Sequence, residues 1–125
     1  MSSDQIKPIL KKITLRKRVS QNSESVSTQE REQLMLGILN GLLMGEMTQG
    51  QALMALRINV LNMKQNQYAQ LIKLSIKTLS DLEQGKGNMS QDTVNQAFRP
   101  FGLTTSIVPI KKSLIMDALN YEFKS

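Results

Sequence analysis

Asp81 and Glu83 are the carboxylate pair of the segment from Met63 to Lys86. Two positions apart at helical spacing, they face different sides and cannot flank one reacting bond. The 125 residues contain no histidine and no cysteine. That removes disulfide frameworks, Cys/His metal clusters, thiol nucleophiles and any Ser-His or Cys-His triad. No glycine loop of the phosphate-cradling kind occurs either. The sequence therefore predicts no enzyme, no metal and no other cofactor. The remaining chemistry is that of cations. Lys and Arg number 16 against 10 Asp and Glu, for a net charge of +6, and the pI is near 9.8. A small basic protein of this kind suggests a polyanion as partner.

The charge is concentrated at the N-terminus. Residues 1–20 hold Lys7, Lys11, Lys12, Arg16, Lys17 and Arg18 against Asp4 alone. The rest of the chain is close to balanced. A polar, serine-rich stretch from Ser20 to Thr28 then reads as a linker. Residues 1–27 are expected to form a basic arm, able to touch phosphates or simply to stay solvated. Ile13, Leu15 and Val19 share one parity, which also admits a short edge strand. The apolar run from Leu34 to Met44 is about half of the roughly 20 residues that a membrane helix needs. No secretion signal follows the start, so no membrane is expected and the cytoplasm is the default location.

Helical spacing begins near Thr28. Ser27 and Glu30 have the spacing of a capping box, and Leu34, Ile38 and Leu42 recur every four residues. Gly37, Gly41 and Gly45 recur in the same way. Each interior glycine costs about 1 kcal/mol relative to Ala. The stripe permits close approach of another helix, or leaves a poorly formed helix that only tertiary packing holds; the second reading is preferred. A further helix is predicted from Thr48 to about Leu61, with Ala52, Leu53, Leu56, Val60 and Leu61 facing a core.

Tyr68, Ala69, Leu71 and Ile72 then define a short helix, and Lys73-Leu74 suffices for a tight turn. Ser75 is a good N-cap, Leu79 and Leu82 give the next helix an apolar stripe, and Gly85 ends it. The small Ala69 sits where two crossing helices must come close. Two short helices, a tight turn and an outward face of Lys77, Thr78, Ser80 and Asp81 have the layout of a helix-turn-helix.

The residues at these positions resemble the XRE helix-turn-helix family, which includes phage Cro and repressor proteins. The resemblance rests on Gln65, Ala69, Ile72, Leu74, Ser75, Thr78, Leu79, Ser80, Glu83 and Gly85-Lys86 and extends over residues 48–103. It implies a bundle of about five helices that binds double-stranded operator DNA as a homodimer. Two departures stand out. Lys73 occupies a turn position where the family has glycine, at some cost in the left-handed region. Lys64 replaces the usual Ser or Thr cap, which leaves the cap to Asn62 or to no residue.

By the same resemblance, Gln65 contacts backbone or a base edge. Ile76, Lys77, Thr78 and Asp81 lie on the face that reads bases. Lys77 can donate to guanine O6/N7, Ile76 or the Thr78 methyl can touch a thymine methyl, and Asp81 can accept from cytosine N4 or repel phosphate. Ser75, Gln84, Lys86 and Asn88 fall where the family grips phosphates. A solvated surface side chain is the alternative for each. The family also pairs an Arg on the first bundle helix with the Glu near the end of the recognition helix, which points to Arg57 and Glu83. Tyr68, Ile72, Leu79, Leu82 and Phe98 are expected in the core.

After Gly102, residues Thr104 to Ile110 are β-type, with Pro109 confining them to an edge strand. That strand must pair with Ile13 to Val19 or with its copy in a second subunit. A strand at this place is similar to the HipB-type antitoxin branch of the family. Ser113 is expected to cap a last amphipathic stretch. The expected fold is thus mainly α: a five-helix Cro/repressor-like bundle over 48–103, a helical extension over 28–47, and a strand and helix for dimerisation over 104–125. The expected function is a transcriptional regulator, a repressor; the alternative is a HipB-like antitoxin that binds a toxin protein and represses its own operon.

Overall fold

The computed structural model describes residues 27–123. The basic arm, the alternating stretch from Ile13 to Val19 and most of the serine-rich linker lie outside the described residues. Among those described, six α-helices follow in order: α1 Thr28–Leu43, α2 Gln49–Ala55, α3 Gln65–Ile72, α4 Ile76–Gln84, α5 Gln91–Phe98 and α6 Lys112–Leu119. A π-helical turn, Leu56–Val60, continues α2, and a 3-10 turn, Arg99–Phe101, follows α5. No helix among the described residues is long and apolar enough to cross a membrane.

Small hydroxyl side chains start four of these helices. Ser27, Thr48, Ser75 and Ser90 each sit in extended backbone and accept from an amide three residues on. Each thereby satisfies a donor that the first helical turn leaves without a partner. At Thr48 the exchange is reciprocal, because Gln51 Oε1 accepts from the Thr48 amide at 3.0 Å. Left-handed residues end α3, α4 and the 3-10 turn: Lys73, Gly85 and Gly102. After α3 the Leu74 amide reaches the Ala69 carbonyl, and after α4 the Lys86 amide reaches that of Asp81. Both are the six-to-one bond of a Schellman closure.

One core joins α1 to α5. Leu34 and Ile38 of α1 meet Ala52, Leu53 and Leu56 of the α2 region, Tyr68, Ala69 and Ile72 of α3, Leu79 and Leu82 of α4, and Val94, Ala97 and Phe98 of α5. The helix through Gly37 and Gly41 is continuous over 16 residues, so it is not poorly formed, while core packing of the kind expected holds it. Burial of its Leu34 and Ile38 outweighs the cost of the two glycines.

Two expectations at the C-terminal end are corrected. Thr104 to Ile110 form no strand; no strand occurs among the described residues. A ladder needs a second strand to accept its hydrogen bonds, and here the Thr105 amide instead donates to Asn95 Oδ1 of α5 at 2.8 Å. The last helix starts before Ser113. The Lys111 carbonyl accepts from the Leu114 and Ile115 amides, so Lys111 is the cap and Ser113 lies inside the first turn. Ile115, buried, and an ion pair from Lys112 Nζ to Glu46 Oε1 at 2.8 Å fix α6 in this register.

Candidate nucleic-acid interface

Helices α3 and α4 are joined by residues 73–75. Lys73 adopts φ 60°, ψ 40°, the left-handed conformation that its place in the turn requires. The turn is braced from α5: Gln96 Nε2 donates to the carbonyls of Ile72 at 2.8 Å and Lys73 at 3.2 Å. These are carbonyls of the α3 terminus, where the helix has no further amides to offer. Ser75 then caps α4 by accepting from the Thr78 amide at 3.0 Å. No side chain caps α3. Lys64 sits at its N-cap in extended backbone, and Gln67 Oε1 accepts from the Lys64 amide. Asn62 takes no part in that cap; it turns the chain at φ 53°.

The far end of α4 is locked to α2 and the π-helical turn that continues it. Arg57 Nε donates to Glu83 Oε2 at 2.6 Å and Nη2 donates to Oε1 at 2.9 Å. The third arm of the guanidinium, Nη1, donates to the Met63 carbonyl at 2.8 Å. Both side chains are almost wholly withdrawn from solvent. Gln65 Nε2 adds a further bond to Glu83 Oε1 at 3.0 Å. A carboxylate only accepts, so this bond settles which end of the Gln65 amide carries hydrogen. Gly50 lets the two helices meet: a Cβ there would lie 2.4 Å from the Glu83 carbonyl oxygen. Tyr68, beneath α4, donates its hydroxyl to the Ala97 carbonyl. Burial pushes the Tyr68 hydroxyl far above its usual range, and the nearby Glu83 carboxylate adds to that shift.

The outward side of α4 carries Ile76, Lys77, Asp81 and Gln84. Ile76, Lys77 and Gln84 are exposed and Asp81 is half-buried. Lys77, Asp81 and Gln84 follow at four- and three-residue steps, so they form one stripe. Lys77 Nζ lies 3.6 Å from Asp81 Oδ2 while the lysine side chain stays 88% exposed. An exposed pair of this kind contributes little to stability. Gln84 Nε2 donates to Ser80 Oγ at 3.1 Å. Thr78 is half-buried and tied to Ser75 through both its amide and its hydroxyl. Ser75 and the Thr78 hydroxyl are thus engaged in capping, and the Thr78 methyl remains as a contact group. Lys86 and Asn88 are exposed on the loop after α4. Lys86 borders a groove of about 620 Å³ shared with Thr48, Gln51, Gln84 and Gly87. Gln65, at the start of α3, is joined to the α4 end of the site through Glu83.

The sequence had no clear sign of the braces from α5. Asn95 and Gln96 are ordinary polar residues of a predicted helix, and their partners are backbone carbonyls and amides that carry no sequence signature. Glu46 and Lys112 were likewise unmarked. No protein-family model, curated protein or solved structure matches this chain.

Proposed function

We propose that this chain is a sequence-specific transcriptional regulator of double-stranded DNA, a repressor that binds a palindromic operator as a homodimer. The observation that carries the reading is the α3–turn–α4 unit, with its braced turn, a buried clamp at the far end of α4 and a stripe of polar side chains facing outward. A helix displayed in this way fits a DNA major groove with its N-terminal residues toward the base edges. Lys77 would donate to guanine O6/N7, and Ile76 and the Thr78 methyl would meet thymine methyls. Asp81 accepts from cytosine N4 or rejects a wrong base. Gln65, Gln84, Lys86 and Asn88 border this face and suit phosphate or sugar contacts, which fix register rather than sequence, whereas the Ser75 hydroxyl is held by its bonds to Thr78.

One such unit reads few base pairs. Two copies related by a two-fold axis would place half-site centres roughly 34 Å apart, or a multiple of that. Selection of bound duplexes from a random library tests the whole reading. The expected result is a short inverted repeat with conserved G or T positions in each half. Retention of duplexes without any sequence preference would overturn it.

A further inference from the structure

Most of the exposed large apolar side chains among the described residues lie between positions 107 and 123. Ile107 is 98% exposed and Ile110 is fully bare, and Leu114, Leu119, Tyr121 and Phe123 are each more than half exposed. Tyr121 and Phe123 stack edge to face, with ring centroids 5.1 Å apart. Large apolar and aromatic side chains offer roughly 150–200 Å² each when bare. These exposures therefore amount to roughly 700–950 Å², on the scale of the roughly 800 Å² per partner of a standard stable interface.

The helix beneath this surface is held by little. Ile115 is its buried residue among those described, and Lys112 pairs with Glu46 of the bundle. Eight residues fall short of the roughly 12–15 at which isolated helices become marginally stable in water. Beside the segment lies an apolar groove of about 310 Å³ lined by Leu39, Leu43, Met47, Phe98, Leu103 and Val108. Projecting apolar side chains and an apolar groove on one molecule suit an isologous contact, in which each copy fills the groove of the other. Charge favours the same occupant. Lys111 and Lys112 balance Asp117 and Glu122, so two such surfaces meet without net repulsion, whereas DNA or an anionic membrane would demand a basic face.

We infer that a second copy of this chain covers the surface formed by residues 107–123 and the groove beside it. The inference rests on the two-fold reading above and assigns the dimer to side-chain packing in place of a shared strand. Sedimentation equilibrium of the full chain tests it, with Ile107→Glu/Ile110→Glu as the variant. Both positions are exposed in the monomer, so the helical circular-dichroism signal should stay unchanged. Wild type should be dimeric at about 10 μM, and the variant should dissociate roughly 100-fold more readily. Should that variant lose its helical signal, Leu119→Lys on α6 takes its place with the same expectation. Hydrogen exchange supplies a second readout: α6 amides should lose protection as wild type is diluted into monomer.

A wild-type monomer at tens of micromolar, on the scale where specific dimers form, would overturn the inference, as would variants that dimerise like wild type. Protection of α6 that ignores dilution would also overturn it, by placing the cover within one chain. Selection from the duplex library separates the two readings. A monomer that still selects a half-site sinks the interface alone, and a dimer of this geometry without base preference sinks the DNA reading alone.

Discussion

Glu83 is the residue on which the site turns, because three donors from two other segments converge on its carboxylate. With Arg57 and Glu83 both buried, removing either leaves an uncompensated charge and should cost about 3 kcal/mol. Replacing both with apolar residues of similar volume should cost less than the two single changes together. Additive losses in that cycle would show that the pair is not coupled. On the outward face, Lys77 and Lys86 are expected to differ in kind. Lys77→Ala should lose roughly 1–3 kcal/mol on the preferred operator and relax base choice at one position per half-site. Lys86→Ala should weaken all duplexes alike and reduce the salt slope by about one. Titrations against salt on specific and scrambled duplexes separate the two, and equal loss of specificity from both would sink the assigned docking.

Among the elements, caps and stops were the most legible in sequence. Ser27, Thr48, Ser75, Gly85 and Gly102 all stand where local rules put them, since each acts within three or four residues of itself. Lys73 was legible only through the resemblance, which places a glycine at this turn position, and its φ of 60° fits that place. Replacing it tests that fit. Lys73→Gly removes the Cβ penalty at φ 60° and should stabilise the fold by about 0.5–1 kcal/mol in denaturant melts. Gly50→Ala should do the opposite and cost roughly 1–3 kcal/mol, because the new methyl meets backbone that cannot swing aside. An unchanged midpoint for Gly50→Ala would mean that α2 and α4 can separate freely. The strand expected at Thr104 to Ile110 failed for a non-local reason. β-type residues report a preference for extension, but pairing depends on a neighbour that the sequence does not name. The π-helical turn at Leu56–Val60 had no signal either, as its wide hydrogen bond, Leu61 amide to Leu56 carbonyl, has no compositional mark. Of the candidate site, the α4 stripe was readable from spacing, and the Arg57–Glu83 pair from the resemblance alone. The Gln65–Glu83 bond and the support from α5 depend on how distant helices pack.

For the whole molecule, the response to base follows from two groups. Burial raises the Tyr68 hydroxyl, and the hydrogen bond to Glu46 raises Lys112. Both folded-state values lie above the unfolded ones, so both contributions are intact below about pH 10 and fade as pH climbs through the folded values. Denaturant midpoints should stay level to about pH 9 and fall beyond pH 10. Tyr68→Phe should make that fall shallower, and an identical fall would remove Tyr68 from the account. The basic arm gives a second test at this scale. If it grips phosphate backbone, deleting residues 1–20 should flatten the salt dependence of DNA binding and leave base preference in place. If it serves the fold instead, deletion should lower the melting midpoint and leave the salt slope intact.

The chain has two tyrosines and no tryptophan, and the structure places those two phenols in opposite surroundings. Tyr68 is sealed in the core with its hydroxyl bonded to a carbonyl, and Tyr121 stands 65% exposed beside Phe123. Near-ultraviolet emission is therefore a two-channel optical reporter that needs no label. A small aqueous quencher should reach Tyr121 and spare Tyr68 in the native protein, and reach both once the bundle unfolds. Replacing either phenol with phenylalanine leaves a single emitter, so that stopped-flow runs on the two variants time core opening and events at the C-terminal surface separately.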